Sequence, residues 1–223
     1  MSVTQSAVQI CNLGLNRVGV LQTIVSLSPP DNTPAGVAAS LVYDFVRQAI
    51  LAKFPWPWAS KYTTLAVVAT NPNQEWRYAY QYPTDALFIR RVTVSPTAAN
   101  LQPYGTSPGF TFDRGDTNPN PPPFEVGYLN SSRVIYTDLQ YAACKYTFDQ
   151  TDTGAFTPEF VNLLAWRLAI DFADSLANDA GQRERCEKMY QIVELKCAAI
   201  SMNEMQNSQP SVDYNSATVR ARW

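Results

Sequence analysis

The chain has 223 residues, 46% of them apolar and only 16% charged, with 17 Lys and Arg against 19 Asp and Glu. That length suits one large domain or two small ones, and a net charge of −2 with no Lys/Arg run argues against a protein that grips phosphate backbones. There is no histidine, which removes Ser-His-Asp triads, Cys-His dyads and HExxH zinc sites; any catalysis would rest on carboxylates, lysine, tyrosine or thiols.

Residues 3–18, VTQSAVQICNLGLNRV, carry Ala7, Cys11, Gly14, Leu15 and Val18 at helical spacing, a small-residue stripe suited to close helix packing. A second helix starts at Thr33 as N-cap with Pro34 in its first position. Its expected core stripe is Val37, Leu41, Phe45 and Ile50, with Ala38 and Val42 beside it. Pro55 ends it, because the residue before a proline is pushed out of the helical region.

From Tyr62 the period changes to two. YTTLAVVAT, EWRYAYQYP and ALFIRRVTVS read as strands. Residues 96–123 then hold seven of the sixteen prolines and three of the nine glycines, and read as a long loop. FEVGYLN, RVIYTDL and AACKYTFD follow as strands, with Asn130-Ser131-Ser132 as a hairpin turn.

Thr157-Pro158-Glu159 opens a third helix, whose apolar positions are Val161, Leu164, Leu168, Phe172 and Leu176. NDAG breaks it. The last helix, about 182–206, has a narrow seam of Cys186, Tyr190, Val193, Cys197 and Ile200 with a charged remainder. The tail QNSQPSVDYNSATVRARW has no period and ends in Arg220, Arg222 and Trp223, an aromatic beside cations, which is the composition of an interface anchor.

The expected fold is therefore α+β. A four-helix bundle layer (1–58 and 155–206) carries an antiparallel β-lobe of about six strands (59–154) inserted between helices 2 and 3, with the proline-rich loop 96–123 in that lobe and an extended C-terminal arm (207–223). The cysteines Cys11, Cys144, Cys186 and Cys197 show no CxxC spacing; the last two, if on one helix, lie about 16 Å apart, too far to bridge. All four read as reduced thiols. MSVTQSAVQI has no charged-then-apolar leader pattern, and no apolar run approaches the roughly 18 residues needed to span a bilayer, so the expectation is a chain made in the cytoplasm with no membrane partner. No cofactor is implied: GTSPGFTFDRG lacks the lysine and the following helix of a phosphate cradle.

The ordered series ICNLGLNRVG, IVSL, FPWPWAS, YAYQYPTDAL, RVIYTD and FVNLLAWRLAIDFADSL resembles the head-to-tail adaptor proteins of short-tailed bacteriophages, the tail tubular protein A family, over most of residues 5–200. It departs at Trp58, where the family more often has Pro-Trp-x-Phe-Ala, and the proline-rich loop and the tail have no counterpart. The resemblance implies a structural virion protein: a ring of about twelve copies that joins the portal to the tail nozzle or tube and extends the DNA channel, through which DNA passes without sequence-specific binding. It implies a portal-binding arm with Tyr214, Arg220, Arg222 and Trp223, and a nozzle-facing loop with Tyr104, Phe110, Phe112 and Arg114. Glu159, Asp171 or Asp174 could then face the lumen.

On this reading Pro55-Trp56-Pro57-Trp58 is an interlobe elbow, with prolines fixing the chain direction and both indoles wedged against both lobes; a variant turns one tryptophan toward a neighbouring subunit. Two other readings use different residues. A carboxylate-based cell-wall hydrolase, acting as the phage enters its host, would draw on Asp138, Asp149, Asp152 and Glu125. A nucleic-acid-binding module would draw on Lys61, Arg77, Arg90 and Arg91 interleaved with Trp76, Tyr78 and Tyr80, the three aromatics sharing one strand face.

Overall fold

The computed structural model describes residues 5–68, 71–73, 75–95, 122–177 and 179–206, without the side chains of 202–206. Helix α1 (Ala7–Val18) starts in a reciprocal capping box between Ser6 and Gln9 and ends at Gly19, whose φ of 82° is the left-handed conformation glycine accepts most readily. Helix α2 (Pro34–Lys53) is capped by Thr33, and the third helix, α3 (Pro158–Phe172), by Thr157. A π-helical turn, Ala173–Ala177, follows α3, and Asp179 then caps α4 (Ala180–Gln206) by accepting from Gly181 N at 2.8 Å.

Helix α3 is the middle element. Phe160, Leu163, Leu164, Ala165, Leu168, Ala169 and Phe172 are all buried, over most of its circumference, and α1, α2 and α4 pack around it. Gly14 of α1 lets that helix approach closely: a Cβ there would stand 3.1 Å from the Phe172 ring and 3.3 Å from the Ala165 carbonyl oxygen.

The described strands are β1 (Ser60–Thr64), β2 (Tyr78–Gln81), β3 (Ala86–Val94), β4 (Phe124–Leu129), β5 (Ser132–Thr137) and β6 (Ala142–Phe148). They form two antiparallel three-stranded sheets, in orders β1-β6-β3 and β2-β5-β4, rather than the single strand lobe expected. Register is the reason. Val126 pairs with Ile135 and Tyr80 with Ile135, closing one sheet around β5, whereas Cys144 pairs with Thr63 and Val92, closing the other around β6. Tyr80 and Ile135 of one sheet share a core with Ile89, Val92, Cys144 and Tyr146 of the other. The β4–β5 hairpin turns on Asn130 and Ser131, both with positive φ (49° and 64°).

Two arginines tie the helices to the first sheet. Arg90 donates from Nη2 to the carbonyl oxygens of Ala52 and Phe54, each at 2.7 Å, at the C-terminal end of α2, where a cation meets the negative end of the helix. Arg47, 2% exposed within α2, pairs with Asp149 just past β6 and donates to the Gln150 carbonyl oxygen at 2.6 Å. All four cysteines are buried and unbridged. Burial pushes the Cys11 and Cys144 thiols up to about 12 and Cys197 up to about 11, so they pack as apolar groups.

Candidate interaction surface on the second helix

Helix α2 buries a different face from the one its pattern suggested. Ala35, Ala39, Tyr43, Val46 and Ile50 point inward, spaced four, four, three and four apart. Of the expected stripe, Ile50 alone is buried; Val37, Leu41 and Phe45 are 47%, 75% and 70% exposed. The helix is apolar on nearly all sides, so periodicity alone does not choose a face. The two small alanines let α2 lie close to α3, and Arg47 fits inward because Asp149 and Gln150 are there to receive it.

The N-terminal end of α2 is held in place by the preceding loop. The Asp31 carboxylate accepts from Val25 N at 2.6 Å, and a Cβ at Gly36 would stand 2.7 Å from the Asp31 Cβ, so glycine is what lets the loop sit against the first turn. The rotation of α2, and therefore which residues it turns outward, is set at both ends by these contacts and by Arg90. Its outer face runs Val37, Leu41, Phe45 and Ala49, with Asp44 at its edge and no Lys or Arg before Lys53. A helix that is apolar on both faces is normally covered on both; among the described residues this one is covered on one.

By length and composition α2 is also the one described helix apolar enough to cross a membrane, which corrects the expectation that no segment qualifies. Its inner face, however, carries buried Arg47 and packs on α3.

Among the described residues, the last helix shows a second such feature. Its buried seam is Cys186, Val193, Cys197 and Ser201, while Ile200, expected in that seam, is 40% exposed. Ile192 and Leu195 are exposed on its outer side, at 47% and 74%. Comparison with protein-family models gave no match, and comparison with curated proteins gave none.

The segment Pro55-Trp56-Pro57-Trp58 leads from α2 into β1 through a short 3-10 turn, Pro57–Ala59. Its indoles do not divide between the helices and the sheets. Trp56 donates from Nε1 back to the Ile50 carbonyl oxygen at 3.1 Å and meets Phe160 edge-on at 5.1 Å. Trp58 meets Phe160 at 5.0 Å and Phe156 at 5.5 Å. Both belong to the helix-side core, because Phe156 and Phe160 at the start of α3 provide the aromatic edges they pack on.

The four carboxylates considered for hydrolysis are engaged locally. Asp149 pairs with Arg47 and accepts from Gln48 Nε2 at 2.8 Å; Asp152 caps a 3-10 turn through Gly154 N at 2.8 Å; Asp138 accepts from Arg77 N at 3.1 Å; Glu125 accepts from Trp76 Nε1 at 3.0 Å. Of the aromatics of the nucleic-acid reading, Tyr78 and Tyr80 share a face, their ring centroids 6.3 Å apart, and Trp76 does not. Tyr80 is buried between the sheets, whereas Trp76 precedes β2 and packs beside Ala79, Val134 and Tyr136. Lys61 is paired with Asp85 at 2.8 Å and Arg90 is committed to α2. Asp171 pairs with Arg167 at 2.8 Å and Asp174 with Arg183 at 3.2 Å, while the Glu159 carbonyl oxygen accepts from Cys197 Sγ. Tyr104, Phe110, Phe112 and Arg114 lie outside the described residues, as do Tyr214, Arg220, Arg222 and Trp223.

Proposed function

We propose that this protein is a structural, ring-forming adaptor of a short-tailed phage tail, working by contact between copies and with a portal above and a nozzle below. In this reading the helices (1–58 and 155–206) act as a four-helix bundle layer forming the ring wall. The two sheets (59–154) are the inserted lobe, and residues 207–223 are a portal-binding arm. The observation that carries it is the uncovered apolar face of α2, Val37, Leu41 and Phe45, on a chain with only 16% charged residues. Such a face, unaccompanied by a cleft of converging acids or a continuous basic surface among the described residues, suits a subunit that assembles. The order of segments from ICNLGLNRVG to FVNLLAWRLAIDFADSL supplies the adaptor identity.

The test is mass measurement of the purified chain, alone and mixed with the portal ring of a short-tailed phage, with and without residues 207–223. The expected outcome is a defined many-copy assembly on the portal that is lost on deletion of the tail. A chain that never joins a portal removes the adaptor role; rings that form without the tail remove the arm.

A further inference from the structure

Strand β4 is an open edge. Its neighbour among the described strands is β5, on one side only. The two-residue turn Asn130-Ser131 makes Leu129 and Ser132 a hydrogen-bonded pair. From there the ladder alternates, so the N–H and C=O groups of Phe124, Val126 and Tyr128 point away from β5. Among the described residues no strand or side chain pairs with them. The edge also lacks the usual guards: no lysine, no proline and no bulge interrupts Phe124–Leu129. Its two faces differ in chemistry. Val126 and Tyr128 are 38% and 74% exposed on one. Glu125 is exposed on the other, where it accepts from Trp76 Nε1 and, among the described residues, meets no cation.

A strand that fills this edge needs the matching alternation, apolar residues beside Val126 and Tyr128 and a cation beside Glu125. The C-terminal segment, outside the described residues, supplies it. Taken whole, 207–223 has no period, but its last eight residues alternate strictly: Ala217, Val219, Ala221 and Trp223 are apolar, and Ser216, Thr218, Arg220 and Arg222 are polar. We propose that residues 216–223 add to the β4 edge of the same chain as a fourth antiparallel strand of that sheet, with Ala221 opposite Val126 and Arg222 opposite Glu125. This register sets Val219 beside Tyr128, Trp223 beside Phe124 and Arg220 over Gly127, which has no side chain to meet it. Backbone hydrogen bonds supply the hold and the two faces supply the register. A slip of one residue would turn both arginines onto the apolar face and leave Glu125 without its cation. The nine linking residues, 207–215, span up to about 30 Å. Such tethering raises the local concentration to about the millimolar range, so a pairing too weak to join separate molecules holds within one chain. The inference stands apart from the portal reading, because it concerns the chain before any partner binds.

Two measurements on the full chain test it. In the first, Val126→Cys with Ala221→Cys is mildly oxidised; the four native thiols are buried, so the unchanged chain is the background. A disulfide within one chain, mapped by mass spectrometry, is expected at least about tenfold above that of Glu125→Cys with Ala221→Cys, whose side chains would leave opposite faces of the sheet. In the second, amide hydrogen exchange is followed by nuclear magnetic resonance. The Phe124, Val126 and Tyr128 amides are expected to exchange at least about tenfold more slowly than in Ala221→Pro, which removes the donor facing Val126, while the Gly127 and Leu129 amides, turned toward β5, keep their rates. Equal disulfide yields from the two double variants, a disulfide found only between chains, or edge amides indifferent to Ala221→Pro each overturn the added strand. Neither readout uses a portal. Portal binding without these signals keeps the adaptor and removes the added strand; the signals in a chain that ignores portals do the reverse.

Discussion

Arg47 is the buried charge at the junction between α2 and the segment after β6. Burial alone would lower its pKa, but the hydrogen bonds and charges of Asp149 and Asp44 outweigh that and raise it. Replacing it with alanine leaves Asp149 and the Gln150 carbonyl oxygen without their cation. Arg47→Ala is expected to cost about 3–5 kcal/mol in urea unfolding, whereas Arg47→Met with Asp149→Leu, which removes both charges, should cost clearly less. Asp85 works in the opposite direction at lower pH. Burial raises its carboxyl, yet the hydrogen bonds from Lys61 and Tyr146 win and hold it below the usual carboxylate range. A lowered native pKa means that the unfolded chain binds the extra proton, so this contribution is present at neutral pH and fades as pH falls through the carboxylate range below about 4. Asp85→Asn should flatten the acid side of a plot of stability against pH. Neither role was legible in the sequence, because the partners stand 102 residues apart for Arg47 and 61 for Tyr146 and only the sheet register brings them together.

At the level of elements, capping residues announced the helices well and packing decided their faces. The Thr33 and Thr157 caps are local chemistry, and α2 and α3 begin where those residues put them; α1 begins at Ala7 behind a Ser6 capping box that the helical spacing over 3–18 did not single out. The rotation of α2 was not local: several faces of it were apolar enough to be core. The elbow tryptophans make a paired test of what holds its C-terminal end. Trp56→Phe loses the bond to the Ile50 carbonyl oxygen and should cost about 1–2 kcal/mol, read as a shift in denaturation midpoint. The Trp58 Nε1 is buried without a hydrogen-bond partner, so Trp58→Phe removes an unsatisfied donor and should cost less. At the other end, Gly36→Ala should destabilise even though alanine is the better helix former by about 1 kcal/mol, because its Cβ would collide with Asp31.

On the scale of the molecule, the exposure of α2 separates folding from assembly. Val37→Glu with Leu41→Glu should leave stability within about 0.5 kcal/mol per site, since both side chains face outward, while reducing the many-copy assembly measured on a portal ring. Val46→Glu, one turn along on the inner face, should prevent folding and be visible as loss of near-ultraviolet circular dichroism. The two sheets also belong to this scale. Six segments of period two were readable one by one, but whether they made one sheet or two depended on pairings between strands far apart in the chain.

The amino-acid sequence by itself determined the order and type of the elements, their caps and turns, the mixed α+β class and the absence of histidine chemistry, all of which rest on composition and on interactions within a few residues. Only the tertiary structure decided which side of α2 is core, that the strands divide around β5 and β6, and that both elbow indoles serve the helices. Those outcomes follow from long-range contacts among several apolar alternatives of similar local energy, and a one-dimensional pattern does not rank them.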